Sequence, residues 1–340
     1  MNSKWILGLV VILLGLSIAV FLLSGKEKKQ SVGIDLSDRD FSIENKDDIG
    51  RISLKSKNYT ELVFTREGES WMINGEIPAN ELVIKNFLGT LTNIQMVYLP
   101  PRESMPAIVE DTKNNGIRLK IYNRQDNLLK DYYVGAQTAD DRGTFYLMAD
   151  SNTPYVMQIK GFDGSIRNRM LYNLDGWRSK NIFNENPDSI KFVEIEYLND
   201  QQNSFAIRRE KKGFVLDKIG EHIMFKPTPI NPSIAEAYLN QFRKLEAEAN
   251  DNENPNRDLI KSYEEFALIR VGYFNGNVKT IKLTSKEELE FGKSTRKYSD
   301  LEADDRFFIK NKNNELQIIK FSGISKILVS YSFFQENIKG

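Results

Sequence analysis

The strongest constraint on this chain is an internal repeat, in which two halves carry the same kinds of segment in the same order. The dipeptide Arg-Glu at 66–67 recurs at 209–210, and Trp71 has its counterpart in Phe214, both at a spacing of 143 residues (209−66 and 214−71). The spacing grows to 151 in the next predicted helix (239−88), so the added residues lie between elements, as duplicated modules show. Two copies predict two tandem units, because a solenoid needs three or more repeats.

Each half of the chain is predicted to be a set of short strands around one helix. In the first half, alternating apolar residues predict strands at RISLKS, ELVFTR, WMIN, IRLKIYN, LLKDYYVG, GTFYLMA and YVMQI. Helical spacing of apolar residues predicts an amphipathic helix from about Ala79, with its apolar face formed by Val83, Phe87, Leu88, Leu91 and Ile94.

The second half repeats this order and fixes the predicted fold class. Its strands are predicted at IKFVEIEYL, SFAIRRE, FVLD, FALIRVGYF, VKTIKLT, RFFIKN and LQIIKF. A second helix is predicted from about Pro232, with Ile234, Tyr238, Leu239, Phe242 and Leu245 on one face. The sequence therefore predicts an α+β fold of two related units, residues 49–186 and 187–340, each an antiparallel β-sheet with one main amphipathic helix.

The N-terminal segment is predicted to be a single membrane anchor. The run WILGLVVILLGLSIAVFLL has no charge over 19 residues, and as a helix it would be roughly 28 Å long, close to the hydrocarbon thickness of a bilayer. A signal peptide is the alternative, but its apolar region is shorter and ends in small residues, where this chain has Leu22 and Leu23. We predict a tail at residues 1–4, a transmembrane helix at 5–24 and a polar tether at 25–48. The residues predicted to contact lipid are Trp5, Leu9, Leu13, Leu16, Val20 and Leu23.

Composition and motifs argue against several classes of function. Lysine plus arginine and aspartate plus glutamate both total 47, and this zero net charge argues against a nucleic-acid partner. The chain has no cysteine, which excludes disulfides, thiolate nucleophiles and cysteine-bound metals. The glycine-rich phosphate-binding, serine-hydrolase and zinc-protease motifs do not occur. We therefore predict no cofactor, no metal site and no catalytic residues.

Two alternatives to a non-enzymatic function remain open at the level of sequence. Aromatic residues on the predicted strands suggest a glycan- or peptide-binding surface formed by Tyr132, Tyr133 and Tyr146, although the same spacing suits core packing. A hydrolase with a pair of carboxylates is the second alternative, since two acidic residues can meet in space from anywhere in the chain.

The tetrapeptide Ala-Asp-Asp-Arg occurs twice, at residues 139–142 and 303–306. Each copy precedes the same predicted strand of its half, so we interpret the pair as an inherited loop and not as two ion-binding or acid/base sites. Asp141–Arg142 and Asp305–Arg306 are predicted to cap a turn or to form exposed ion pairs, which contribute little to stability.

An ordered set of short motifs resembles a known family. The chain has DRDF at 38–41, Trp71 after the second strand, GIRLKIYN from Gly116, YYVG at 132–135, GTFYLM at 143–148, PYVMQIKGFDG from Pro154 and GWRSKNIF from Gly176. This set resembles the DUF4340 family of membrane-anchored bacterial envelope proteins. The resemblance implies an inner-membrane protein with its bulk in the periplasm, and an accessory role beside transport or gliding systems. It brings no established catalytic residues.

The anchor, the duplicated module and this resemblance together predict a non-enzymatic protein that scaffolds other subunits of a membrane complex. Its expected partners are the lipid bilayer, through the N-terminal helix, and proteins of the cell envelope.

Overall fold

Two large antiparallel sheets of nine strands each make up most of the folded chain, and helices are few. The computed structural model describes residues 39–57, 59–162, 164–170, 173–219, 227–286, 295–311 and 315–336. The predicted transmembrane helix at 5–24, its six lipid-contacting residues and the tether up to residue 38 lie outside these ranges. Within these ranges, no helix is long and apolar enough to cross a bilayer.

The first sheet has the spatial order β4-β3-β2-β1-β6-β7-β8-β9-β5. Its strands are β1 (Ile49–Ser56), β2 (Tyr59–Glu67), β3 (Ser70–Ile73), β4 (Ile77–Pro78), β5 (Ile94–Tyr98), β6 (Ile117–Asn123), β7 (Leu128–Gln137), β8 (Thr144–Met148) and β9 (Tyr155–Ile159). All of the strand segments predicted for the first half are therefore confirmed.

The second sheet has the order β14-β13-β12-β11-β17-β18-β19-β20-β16. Its strands are β11 (Ile190–Tyr197), β12 (Phe205–Glu210), β13 (Gly213–Lys218), β14 (Thr228–Ile230), β16 (Ala249–Asn250), β17 (Ala267–Tyr273), β18 (Val278–Ser285), β19 (Arg306–Lys310) and β20 (Leu316–Lys320). A separate two-stranded sheet joins β10 (Asn181–Phe183) to β15 (Leu245–Glu246).

Seven α-helices accompany these strands within the described ranges. They are α1 (Glu81–Asn93), α2 (Met105–Asn115), α3 (Leu174–Trp177), α4 (Pro232–Leu239), α5 (Arg257–Ser262), α6 (Phe321–Ile324) and α7 (Tyr331–Glu336). Short 3₁₀ turns lie at Lys46–Asp48, Ile166–Arg169, Pro187–Ser189, Gln201–Asn203, Asn240–Phe242 and Tyr298–Asp300.

The two sheets have the same topology, as the sequence repeat predicts. In each sheet the first strand in sequence is flanked by the second and by the strand that follows the helical segment, and a short strand completes each edge. The register agrees as well, since Arg66 pairs with Trp71 across β2–β3 and Arg209 pairs with Phe214 across β12–β13. Residues that are 143 positions apart in this part of the sequence therefore occupy equivalent positions in the two sheets.

The repeated arginine has the same structural role in both units. The Arg66 guanidinium donates a hydrogen bond to the Lys46 carbonyl (3.4 Å), and Arg209 donates to the Pro187 carbonyl (3.4 Å). Both guanidinium groups also lie over the aromatic ring of their cross-strand partner, at 5.9 Å and 4.8 Å from its centroid. Each arginine thus fixes the 3₁₀ turn that enters its unit, and cation–π contact adds to the stabilisation.

The two predicted helices are present but shorter than predicted. Asn80 caps α1 by accepting hydrogen bonds from the amides of Leu82 and Val83 (3.1 and 3.2 Å), so the predicted start near Ala79 is close. The assignment of Ile94 to this helix is wrong, because Ile94 opens β5, where β-branched and aromatic residues favour a strand. Leu245 likewise lies in β15 and not in the second helix.

Helix α2 and strand β5 are elements that the sequence pattern did not predict. Only Thr112 of α2 is buried, so the helix has no apolar stripe from which a helical period could be read. In β5 only Ile94 is buried, and the strand therefore lacks the alternation of a half-buried strand.

The folded first unit begins earlier than the predicted boundary at residue 48. Phe41 is fully buried, with its ring 5.5 Å from Tyr132 and 5.4 Å from Tyr146, and Ile43 belongs to the same core. The prediction that residues 39–48 form a solvated tether is therefore wrong. These two apolar residues have polar neighbours in the sequence, so the sequence pattern does not indicate that they are buried. The second boundary also moves, since Ile182 and Phe183 pack in the second core.

The two Ala-Asp-Asp-Arg copies are turns that precede equivalent strands, β8 and β19. In the first, the Asp140 carboxylate accepts a hydrogen bond from the Arg142 amide (3.2 Å). In the second, the Asp305 carboxylate accepts one from the Glu302 amide (2.7 Å) and pairs with Arg296 (2.8 Å). The turn-capping role is confirmed, although the first cap is Asp140 and not Asp141.

Candidate binding cleft

The segment that connects the two units is hydrogen-bonded to the edge of the first sheet. The Asn80 amide donates to the Trp177 carbonyl (2.7 Å), and the Ser179 amide donates to the Pro78 carbonyl (2.8 Å). Trp177 is fully buried in the first core, 4.8 Å from Phe64 and 5.1 Å from Phe87 between ring centroids. The connecting segment is therefore fixed to the first unit through both its backbone and its largest side chain.

Polar residues of the second unit form hydrogen bonds with the same connecting segment. The Asp175 carboxylate accepts hydrogen bonds from the Asn252 amide (2.6 Å), the Asn252 side chain (2.8 Å) and the Glu253 amide (3.3 Å). The Asn250 side-chain amide donates to the carbonyls of Asp175 and Arg178, both at 3.1 Å. We call the set Asp175, Arg178, Asn250, Asn252 and Glu315 the interunit clamp.

An ion pair completes the interunit clamp. Arg178 contacts Glu315 directly and lies 3.8 Å from Asp175, and its side chain is 13% exposed. Because the Asp175 side chain is only 9% exposed, the attraction is weakly screened, and losing one partner would leave a buried charge unpaired. The clamp therefore couples the two units mechanically.

Two clefts lie on either side of β4, and both are lined by residues of both units. Cleft A has a volume of about 630 Å³ and cleft B about 990 Å³. The residues that line both clefts are Ile77, Pro78, Asn181, Asn311, Glu315 and Gln317. Binding sites commonly occur at such boundaries between units, where concave surface arises from packing two convex bodies.

Cleft A combines an apolar floor with charges of both signs. Trp71, Ile84 and Leu88 form the floor and are largely buried. The charged residues at the walls are Lys46, Arg66, Lys85 and Arg178 together with Asp47, Glu69, Glu81 and Glu315. Arg66 and Arg178 already form ion pairs, with Asp47 (3.3 Å) and Glu315. The exposed charges of Lys46, Glu69, Glu81 and Lys85 are therefore the groups best placed to contact a ligand.

Cleft B is more open and carries exposed apolar side chains. Phe274 is 58% exposed and Val278 48% exposed, at the hairpin between β17 and β18. Behind them Lys279 pairs with Glu185 (3.0 Å) and lies 5.0 Å from the Phe183 ring centroid. Burial raises the pKa of the Tyr273 phenol, and the neighbouring Glu185 carboxylate raises it further. Tyr273 is therefore a neutral hydrogen-bonding group at any physiological pH.

The predicted surface of Tyr132, Tyr133 and Tyr146 does not exist as an exposed patch. Tyr132 and Tyr146 are fully buried, with ring centroids 5.4 Å apart under Phe41. Tyr133 points to the opposite face, because successive strand residues alternate, and it packs half-buried beside Arg118, 5.4 Å from its ring centroid. The three tyrosines therefore do not provide a glycan- or peptide-binding surface.

The buried tyrosines lead to a prediction about stability. Within the described chain, neither the Tyr132 nor the Tyr146 hydroxyl has a hydrogen-bond partner, and burial raises the pKa of both phenols. Replacing Tyr146 by phenylalanine removes an unsatisfied buried group, so we expect the free energy of unfolding to rise by about 1 kcal/mol in urea denaturation. Tyr238→Phe is the matched control, because the Tyr238 hydroxyl donates to the Ile327 carbonyl (2.9 Å) and its loss should cost about 1 kcal/mol. Equal losses in both variants would contradict this account.

No pattern in the sequence indicates the interunit clamp or the two clefts. Asp175 and Asn252 are 77 positions apart, and Arg178 and Glu315 are 137 apart, so no local pattern links them. The only local signal is Asn173-Leu-Asp-Gly, in which the Asn173 side chain caps α3. Among the described residues, no group of three or more histidine, aspartate or glutamate side chains could hold a metal ion.

The fold and the clefts define a class of protein: a duplicated two-sheet protein whose two units are joined by the interunit clamp and line two clefts. The chain belongs to the DUF4340 family, described as a domain of unknown function, whose match spans residues 71–257. That match covers 187 of the 340 residues (257−71+1), from β3 into the first residue of α5, and it includes most of the interunit clamp. Neither the curated proteins nor the solved structures include a match to this chain.

Proposed function

We propose that this protein is a non-enzymatic scaffold of the bacterial cell envelope, held at the inner membrane by its N-terminal segment with its bulk in the periplasm. In this proposal it binds a polypeptide segment of a partner subunit in cleft A. The observation that carries the proposal is cleft A itself, which both units line and which includes Arg178 and Glu315 of the interunit clamp in its wall.

The chemistry of cleft A suits a polypeptide ligand. An apolar floor of Trp71, Ile84 and Leu88 can receive one or two apolar side chains, which supply most of the affinity in such contacts. Exposed charges of both signs at the walls, Glu69, Glu81 and Lys85, can select a segment with complementary charges. The two largely buried arginines of the cleft, Arg66 and Arg178, already form ion pairs with Asp47 and Glu315.

The membrane placement is supported by the N-terminal sequence. The uncharged run at residues 5–23 is long enough to span a bilayer as a helix. An anchored protein with a polar tether would keep its cleft within reach of the membrane surface. That arrangement suits a subunit that organises neighbours in a membrane complex.

We expect charge reversal in cleft A to weaken capture of the partner. Lys85→Glu changes an exposed wall residue of the cleft, and we expect affinity-tagged protein from native membranes to recover about five to ten times less partner, equivalent to about 1 kcal/mol of binding free energy. Quantitative mass spectrometry of the captured material provides the measurement.

Glu110→Lys is the matched control, because Glu110 is an exposed helical charge on α2 outside both clefts. This control should recover the wild-type amount of partner. Equal losses in both variants, or no stoichiometric partner with the wild-type protein, would contradict the proposal.

A further inference from the structure

A third cleft, which we call cleft C, lies beside the C-terminal end of α1, where that helix leads into β5. Its volume is about 570 Å³. The charged residues that line it are all cations, and no carboxylate of the described chain lines it: the cations are Lys85, Lys160 and Arg169. Cleft C therefore combines a concave surface with positive charge of one sign, unlike cleft A.

The Arg169 side chain is partly buried and is oriented without a carboxylate partner in the described chain. Its guanidinium lies over the Phe162 ring, 4.0 Å from the centroid, and its Nη1 donates to the Thr90 hydroxyl oxygen (3.4 Å). Guanidinium groups that leave the solvent are normally paired with an anion. The remaining N–H groups of Arg169 are therefore available to an anionic ligand, and their planar fork matches the oxygens of a phosphate group.

The end of helix α1 does not account for the three cations. The carbonyl groups at the C-terminus of a helix attract positive charge. Here the Gly89 carbonyl already accepts hydrogen bonds from the Asn93 side-chain amide (2.7 Å) and the Thr92 hydroxyl (3.2 Å). Lys85 and Lys160 are exposed and form no ion pair with the described residues. The positive charge of cleft C is therefore not matched by a described carboxylate.

The second unit shows that the fold does not require these cations. The two main helices are related by a spacing of 151 residues, so Lys85 corresponds to Glu236 (236−85). Strands β9 and β20 are related by a spacing of 161 (316−155 and 320−159), so Lys160 corresponds to Phe321 (321−160). Both units nevertheless form sheets with the same strand order. The positive charge of cleft C is therefore a property of the first unit alone.

We propose that cleft C binds a phosphate group, carried either by a soluble phosphate compound or by the headgroup of an anionic lipid. Arg169 donates to the phosphate oxygens, and the ammonium groups of Lys85 and Lys160 add charge at the rim. The exposed side-chain amides of Asn86 and Gln95 line the same cleft and can donate to further oxygens of the ligand. Both sources present the same chemistry to the cleft, so the experiment must separate them.

The rate of thiol labelling at a single cysteine measures whether cleft C is occupied, because the chain has no cysteine of its own. Gln95→Cys places the thiol at an exposed lining position of the full-length protein, and a neutral maleimide labels it. In one arm the protein is in non-ionic detergent with inorganic phosphate, or with chloride at equal ionic strength. In the other arm it is in nanodiscs of phosphatidylcholine, either alone or mixed with phosphatidylglycerol. Protection by inorganic phosphate identifies a soluble ligand, and protection by phosphatidylglycerol alone identifies a lipid headgroup.

We expect labelling to slow at least about five-fold in one of the two arms, because a bound phosphate group covers the thiol. Adding Lys160→Gln removes an exposed charge of cleft C and should reduce this protection about three- to ten-fold, and adding Arg169→Gln should abolish it. Lys55→Gln is the matched control, because Lys55 is an exposed cation on β1 outside cleft C, and it should leave the protection unchanged.

The absence of protection in both arms would overturn the proposal. Equal protection in the Lys160→Gln and Lys55→Gln variants would also overturn it, because the effect would then not depend on cleft C. Lys160 and Arg169 do not line cleft A, so these results are independent of the partner proposed there.

Discussion

Replacing Asp175 by alanine is expected to lower the free energy of unfolding by about 3 kcal/mol and to uncouple the two units. The substitution removes a nearly buried carboxylate that accepts three hydrogen bonds from Asn252 and Glu253, and it leaves those donors unsatisfied. It also removes the carboxylate beside Arg178, 3.8 Å away. Urea denaturation followed by tryptophan fluorescence and by circular dichroism should show one transition for the wild-type protein and two for the variant.

Asp126→Ala provides the comparison for this prediction. Asp126 also forms an ion pair, with Arg51 (2.6 Å), but its side chain is 68% exposed and solvent screens the interaction. Asp126 has φ of 62°, where alanine adds backbone strain, so we expect a loss of about 1 kcal/mol and a single transition. If Asp175→Ala behaved like Asp126→Ala, the clamp would not couple the units.

Trp177→Ala is expected to have the largest effect on the first unit, a loss of about 4 kcal/mol. The indole is fully buried against Phe64 and Phe87, so truncation leaves a cavity that the sheet and helix α1 cannot fill. In the second unit, Phe334 packs on Tyr238 at 5.2 Å, as Trp177 packs on Phe87 at 5.1 Å. We therefore expect Phe334→Ala to cost about 3 to 4 kcal/mol in the second unit.

The neighbouring Phe333 is the matched control for these truncations, because it is 42% exposed. Phe333→Ala should cost below about 1 kcal/mol in the same denaturation experiment. Losses of similar size for Phe333→Ala and Phe334→Ala would show that Phe334 is not a core counterpart of Trp177.

The strands and hairpins of this fold follow from local rules, which is why the sequence predicts them. Alternating apolar residues mark the buried face of each strand, and turn residues mark the ends. The Asn-Gly turn between β17 and β18 contains Gly276 with φ of 87°, a left-handed conformation that glycine adopts at little cost. Because of the internal repeat, the pattern of each main element occurs once in each half of the sequence. The two sheets have the same strand order as a result.

Which face of a sheet is buried, and which edge is covered, depends on contacts with residues that are distant in the sequence. A local pattern carries no information about those contacts. Tyr132 and Tyr146 share the buried face of the neighbouring strands β7 and β8, and Phe41, 91 and 105 residues earlier (132−41 and 146−41), packs on both. Polar helix α2 and strand β5 lack an apolar period because most of their residues are exposed. The interunit clamp joins Asp175 and Arg178 to Asn252 and Glu315, residues whose meeting follows from the packing of two units.

Site-specific photo-cross-linking in native membranes shows whether a partner protein lies in cleft A. A photoreactive residue is introduced at Lys85 in cleft A, at Phe274 in cleft B and at Glu110 on α2, and the adducts are identified by mass spectrometry. We expect one discrete adduct from position 85 that is lost when Glu81→Lys is added, and none from position 110. Equal labelling from positions 85 and 110, or no adduct from position 85, would contradict the proposal that cleft A binds a partner.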